Sequence, residues 1–105
     1  MKLSLEANGR IIEFKIDSGF NGECILSHDV FRTLSGEEFE GPLVRLPDGR
    51  VYSTKMKIVM VKFLNREIYT TCISNIYIDK NLIGEKLLER LQIVLDYKNL
   101  QVKDP

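Results

Sequence analysis

One short string in the sequence combines an acid, a hydroxyl and a flexible backbone at the end of a predicted strand. Asp17, Ser18 and Gly19 follow directly after Ile16. A strand that ends in a glycine-containing loop would hold the Asp17 carboxylate at a fixed position above the sheet. Gly19 would allow a second backbone to approach closely. The Ser18 hydroxyl can hydrogen-bond to an equivalent loop. These three residues are therefore the candidate catalytic group.

The tripeptide alone predicts no more than a turn, because an acidic turn closed by its own side chain is common at strand ends. Chemistry follows if two such aspartates meet. Like charges about 3 Å apart cannot both ionise, so one carboxylate stays protonated and the other stays a base. Such a pair can deprotonate a water and protonate a carbonyl oxygen as the water attacks. The reaction needs no cofactor and no metal.

Asp17 is the only aspartate with the Asp-Ser/Thr-Gly pattern, so one chain can supply only one catalytic aspartate. No other aspartate is followed by Ser or Thr and then Gly; the others are Asp29, Asp48, Asp79, Asp96 and Asp104. A lone aspartate side chain is ionised at neutral pH and cannot act as the acid. Activity would therefore require a twofold homodimer that places Asp17 beside its copy.

The elements that would position this string are mostly strands. The first half predicts strands over residues 2–7 and 10–17 around an Asn8-Gly9 hairpin turn, a short strand over 23–27, and a helix that begins after Ser27. The second half predicts a long hairpin of residues 43–46 and 51–63, a strand over 68–78, a helix over 84–91, and a closing hairpin of 93–97 and 100–103. Nothing divides residues 1–105, so we expect a single mainly β domain with one or two short helices.

Composition excludes several functions. The 15 basic residues balance the 15 acidic residues, so no net field attracts nucleic acid. The apolar runs reach about four residues, far below the roughly 18 that suggest a membrane span. Glu6 interrupts the N-terminus before a signal-peptide core could form. We therefore expect a cytoplasmic protein that binds neither nucleic acid nor membrane.

The cysteines and the one histidine offer little chemistry. Cys24 and Cys72 lack metal-ligand spacing and have apolar neighbours, so we expect two reduced thiols packed in strands rather than a disulfide. His28 follows the helix-capping Ser27, where a surface residue is expected.

Taken in order, the motifs resemble the retropepsin-like aspartic proteases, the family that includes the retroviral proteases. Residues 16–22 resemble the family's active-site loop, in which an apolar residue precedes Asp-Thr/Ser-Gly. Residues 24–34 resemble the strand and helix that follow this loop. Residues 81–88 resemble the second signature, two apolar residues and a glycine before a helix, and 91–102 resemble the closing hairpin. The resemblance implies a closed β-barrel of the acid protease fold, with one lobe per chain.

The resemblance also implies roles for further residues. Leu46, Pro47, Asp48, Gly49 and Arg50 would form the flap that covers the substrate. Its single glycine suggests a stiffer flap than that of relatives with several.

The second signature implies structural support for the active-site loop from Leu82, Ile83 and Gly84. Two further departures from the family pattern occur. Ser18 replaces the commoner threonine, and Glu85-Lys86 stands where retroviral members carry an arginine that supports the dimer. The implied function is a homodimeric aspartic endopeptidase that acts on peptides or proteins.

Two other hypotheses remain open. A dimeric module with this fold could bind extended peptides through main-chain hydrogen bonds without cleaving them. An unrelated small β-barrel with no active site is the third possibility. The intact Asp17-Ser18-Gly19 string argues against a pure binding module, because placing two carboxylates together carries an electrostatic cost that binding does not require.

Overall fold

The computed structural model describes residues 1–45, 48–96 and 98–99, and the backbone of residues 101–103. The strands are β1 (Lys2–Ala7), β2 (Arg10–Ile16), β3 (Cys24–Ile25), β4 (Phe39–Glu40), β5 (Val44–Arg45), β6 (Val51–Tyr52), β7 (Lys55–Phe63), β8 (Arg66–Ser74), β9 (Leu82–Ile83), β10 (Val94–Asp96) and β11 (Gln101–Lys103). The helices are α1 (His28–Thr33) and α2 (Glu85–Arg90).

Six strands close into a barrel. The neighbours run β1-β2-β9-β3-β8-β7, and β7 pairs back with β1 to complete the ring. Strand β4 adds to the outer edge of β7, and β5-β6 and β10-β11 form separate two-stranded sheets. The predicted mainly β closed barrel with two short helices is thus confirmed.

The β1-β2 hairpin shows why the sequence folds this way locally. Asn8 and Gly9 both have positive φ angles, +47° and +84°, as a two-residue turn between twisted strands requires. Asn8 also fixes the hairpin to the barrel: its Oδ1 accepts from Met60 N at 2.8 Å and its Nδ2 donates to Ser35 O at 2.7 Å.

The core lies inside the barrel and under the two helices. Alternate residues of the long strands point inward, and α2 contributes Leu87 and Leu88 while α1 contributes Phe31. The largest fully buried apolar side chains are Phe14, Leu5, Leu26, Ile83, Leu87 and Leu91. Ser27 caps α1 as predicted, because its Oγ accepts from Val30 N at 3.2 Å.

The predicted long hairpin is interrupted in the structure. Strand β6 ends at Tyr52 and β7 begins at Lys55, so residues 51–63 are two strands rather than one. The break occurs at Thr54, which is buried and turns toward the preceding segment. Its Oγ1 donates to Pro42 O at 2.7 Å, and its carbonyl accepts from Gly41 N at 2.9 Å. These bonds replace continued pairing within the hairpin.

The expected free thiols are wrong, because Cys24 and Cys72 form a disulfide. Strands β3 and β8 run parallel with Cys24 directly opposite Cys72, and their Cα atoms are 4.5 Å apart. The strand positions predicted for both cysteines are correct, but the sequence does not reveal that these two strands are neighbours. Disulfides are typical of oxidising compartments, so the cysteines do not support the cytoplasmic expectation.

None of the helices in the described part of the chain is long and apolar enough to cross a membrane.

Candidate active site

Asp17 is the first residue beyond β2, and backbone bonds fix its position. Its N–H donates to Ile83 O in β9 at 3.0 Å, which continues the parallel pairing of Ile16 with Ile83. Its carbonyl accepts from Phe20 N at 3.1 Å, and its carboxylate Oδ1 accepts from Gly19 N at 3.0 Å. The side chain of Asp17 is half-buried, whereas Ser18 and Gly19 are exposed. The turn therefore presents the hydroxyl and the glycine outward, where a second chain can reach them.

Strand β9 and the residue after it, Gly84, lie directly against the active-site loop. Leu82 and Ile83 lie between β2 and β3 and pair with both. Gly84 is buried, and its N–H donates to Glu23 O at 3.0 Å. A Cβ atom at Gly84 would lie 2.2 Å from Gly22 O, too close for any side chain. The segment predicted to support the loop is thus in direct backbone contact with it.

An ion pair that the sequence analysis missed joins the loop to α2. Arg90 Nη1 pairs with Glu23 Oε1, and Arg90 Nη2 donates to Tyr69 O at 2.6 Å. The Glu23 side chain is only 14% exposed, and that of Arg90 is 39% exposed. These partners are 67 residues apart in the chain, so no local pattern could have identified them.

The predicted flap residues fall partly within the described chain. Leu46 and Pro47 lie outside the described residues. Val44 and Arg45 pair with Tyr52 and Val51 as a hairpin, and Gly49 has a φ of +83°.

Three hydrogen bonds hold the described part of this tip together. Arg50 N and Tyr52 Oη donate to the Asp48 carboxylate at 2.8 and 3.1 Å, and Arg45 Nη1 donates to Gly49 O at 3.0 Å. Desolvation raises the pKa of Tyr52 above its ordinary value, and the hydrogen bond to Asp48 raises it further. The Tyr52 hydroxyl therefore remains a donor at neutral pH.

A cavity of about 290 Å³ lies beside the loop after Asp17 and strand β5. It is lined by residues of that loop, by Pro42 and Val44, and by residues of β8 and α2. The lining residues are Phe20, Asn21, Gly22, Glu23, Cys24, Pro42, Val44, Thr71, Ile73 and Lys86.

A second cavity of about 310 Å³ lies between α1, residues 52–55 and the loop after β8. His28 lines it and is half-buried, rather than on the surface as expected. The Tyr52 and Tyr77 rings meet edge to face beside it with centroids 5.5 Å apart. None of Asp17, Ser18 and Gly19 contributes to its wall, so this cavity is separate from the candidate active site.

The described residues bring no group of three or more His, Cys, Asp or Glu side chains together in a way that could hold a metal ion. What the site offers is one half-buried carboxylate on a fixed turn, next to a cleft bounded by a hairpin. This arrangement can orient a water or an amide carbonyl, but it supplies one acid or base per chain.

Comparison with known proteins identifies the fold. No family model matches the sequence, and no curated protein matches it. Among solved structures, the chain is similar to EIAV protease complexed with the inhibitor HBY-793, with a TM-score of 0.79. The match covers 91% of both chains at 19% sequence identity. The fold is therefore retropepsin-like, as the sequence motifs predict, and the activity has to be argued from the site itself.

Proposed function

We propose that this chain is one half of a homodimeric aspartic endopeptidase, with Asp17 and the partner's Asp17 as its catalytic pair. The observation that carries the proposal is the Asp17-Ser18-Gly19 turn, which directly follows β2 of a retropepsin-like barrel. The backbone N–H of Asp17 is bonded to Ile83, its carboxylate accepts from Gly19 N, and Ser18 and Gly19 are exposed. The resemblance to a protease that was solved with an inhibitor supports the same assignment.

In the proposed mechanism one Asp17 is protonated and its partner is ionised, because two adjacent carboxylates cannot both carry charge. The ionised carboxylate removes a proton from a water held between them. The protonated carboxyl donates to the carbonyl oxygen of the scissile bond as the water attacks. The attack gives a tetrahedral gem-diol. The carboxyl that took the proton of the water then gives it to the amide nitrogen, the C–N bond breaks, and one hydroxyl proton of the gem-diol returns to the other carboxylate, which restores the mono-protonated pair. No covalent bond forms between enzyme and substrate.

The remaining site residues position the reacting groups. Ser18 hydrogen-bonds across the twofold axis to the partner's loop, and Gly19 allows the two loops to approach. The hairpin around residues 48–50 closes over the substrate, which lies extended and binds through its main chain. The backbone contacts of Ile83 and Gly84 with the loop keep the carboxylate in place.

The test is a comparison of wild type with Asp17→Asn on a mixed peptide library from acidic to neutral pH, with cleavage read by mass spectrometry. Asparagine keeps the size of the side chain and can accept the Gly19 N–H through its own Oδ1, but it cannot act as acid or base. We expect cleavage by wild type with a bell-shaped pH profile, best on the acid side of neutrality, and essentially none by the variant.

Equal cleavage by both proteins would show that the activity arises elsewhere. No cleavage by wild type, in a preparation verified as a dimer, would favour the peptide-binding module instead. The variant should fold and dimerise in either case, since the repulsion between two carboxylates is removed. Its dimerisation provides the control for folding.

A further inference from the structure

The cavity beside the active-site loop carries one cation that has no partner in the described part of the chain. Lys86 is the second residue of α2, is exposed, and lines this cavity. No hydrogen bond or ion pair holds its ammonium group within the described residues. The unpaired ammonium at this cavity is therefore available to a ligand.

The other charged residue of the cavity wall is already neutralised. Glu23 forms its ion pair with Arg90, which approaches from the far end of α2. The remaining wall is largely apolar and includes Phe20, Val44 and Ile73. A side chain that enters here meets an apolar surface and then a positive charge.

The backbone of α2 is fixed relative to the active-site loop, so the position of Lys86 is fixed too. Gly84 N donates to Glu23 O at 3.0 Å, and Glu85 N donates to Phe20 O at 3.3 Å. Lys86 follows directly after these two bonded residues. The backbone at Lys86 is therefore held in place by the bonds that Gly84 and Glu85 make to the loop.

We propose that Lys86 is a specificity-determining residue, which makes the enzyme select substrates with an acidic residue at the position that occupies this cavity. Glutamate fits best, because its methylene groups can pack on the apolar wall while its carboxylate reaches the ammonium. This inference rests on the proposed function and names its substrate class: peptides with glutamate close to the scissile bond.

The test uses a set of peptides that are identical except for Glu, Gln or Lys, scanned through the positions on either side of a cleaved bond. Wild type should show a kcat/KM about fivefold higher for Glu than for Gln at one position, the size of effect expected of a partly exposed ion pair. The preference should decrease at high salt, because exposed charges are screened.

Two charge-reversal variants decide the assignment. Lys86→Glu should invert the preference so that Lys becomes the best residue at that position. Lys62→Glu carries the same change of charge on β7 outside this cavity, and it should keep the wild-type preference. An unchanged order of Glu, Gln and Lys in Lys86→Glu would overturn the proposal.

Peptide-binding measurements on an inactive variant distinguish a failure of the Lys86 role from a failure of the proposed function. Fluorescent peptides of the same set should bind the Asp17→Asn protein with the same order of affinities, and Lys86→Glu in that background should invert it. If wild type cleaves nothing but this order is observed, the proposed function fails and the role of Lys86 stands. If peptides are cleaved or bound without any dependence on Glu, the role of Lys86 is wrong.

Discussion

Asp17 and Arg90 differ in how far their roles can be recognised from the sequence. Asp17 is identified by its neighbours in the chain, because a strand, an acid and a glycine in succession describe a local conformation. Arg90 is identified only by a contact with Glu23, which the folded barrel brings to it. Its position in the last turn of α2 indicates no more than a favourable interaction with the helix dipole.

The Glu23–Arg90 pair is expected to stabilise the active-site loop. Arg90→Ala leaves a largely buried carboxylate without its partner, so we expect a loss of about 1–2 kcal/mol in the free energy of unfolding. Urea denaturation measures it. Lys2→Ala serves as the matched control, since Lys2 and Glu13 are 71% and 63% exposed and their pair should contribute less than about 0.5 kcal/mol. Equal losses in the two variants would show that the Arg90 pair is an ordinary surface contact.

At the scale of elements, β9 and the start of α2 matter because their backbone contacts fix the position of the loop after Asp17. Gly84 is the point of closest approach: Gly22 O and Phe20 O both lie within 2.6 Å of where its Cβ would be. Both obstacles are backbone atoms, which cannot rotate away as a side chain can.

Gly84→Ala should therefore displace the loop and lower both stability and activity. We expect a loss of roughly 1–3 kcal/mol in the free energy of unfolding, the usual effect of overpacking. Peptide cleavage per folded molecule should fall as well, because the position of Asp17 depends on this contact. A variant that unfolds at the wild-type urea concentration and retains full activity would contradict the role given to Gly84.

The four long strands could be predicted, but the short strand β4 (Phe39–Glu40) and the order in which the strands pair could not. Alternation and turn residues locate β1, β2, β7 and β8 to within a few residues, because these signals depend on near neighbours. The parallel pairs β2–β9 and β3–β8 join segments far apart in the chain, and nothing in either segment specifies its partner. The disulfide was missed for the same reason.

For the molecule as a whole, the disulfide is expected to provide a substantial share of the stability. Cys24 and Cys72 are 48 residues apart, and closing a loop of that length in the unfolded chain corresponds to about 4 kcal/mol. Reduction with a dithiol should therefore lower the urea midpoint markedly. The double variant Cys24→Ser, Cys72→Ser should unfold at the same midpoint with and without reductant. A wild-type midpoint that does not respond to reductant, with two free thiols found by mass spectrometry, would contradict the bond.

In the proposed function each chain contributes half of the catalytic site, and the twofold dimer completes the site. Each chain supplies one carboxylate on a turn whose hydroxyl and glycine face outward. The cleft, the flap hairpin and the cavity at Lys86 then occur twice, once in each chain, on either side of the paired turns.

A crystal structure of the dimer tests the proposed catalytic pair most directly, through the distance between the carboxylate oxygens of Asp17 and the partner's Asp17. We expect a twofold axis between the two loops and a separation of about 3 Å, close enough for the pair to share one proton. Carboxylates more than about 6 Å apart could not act as one acid and base, and that result would contradict it.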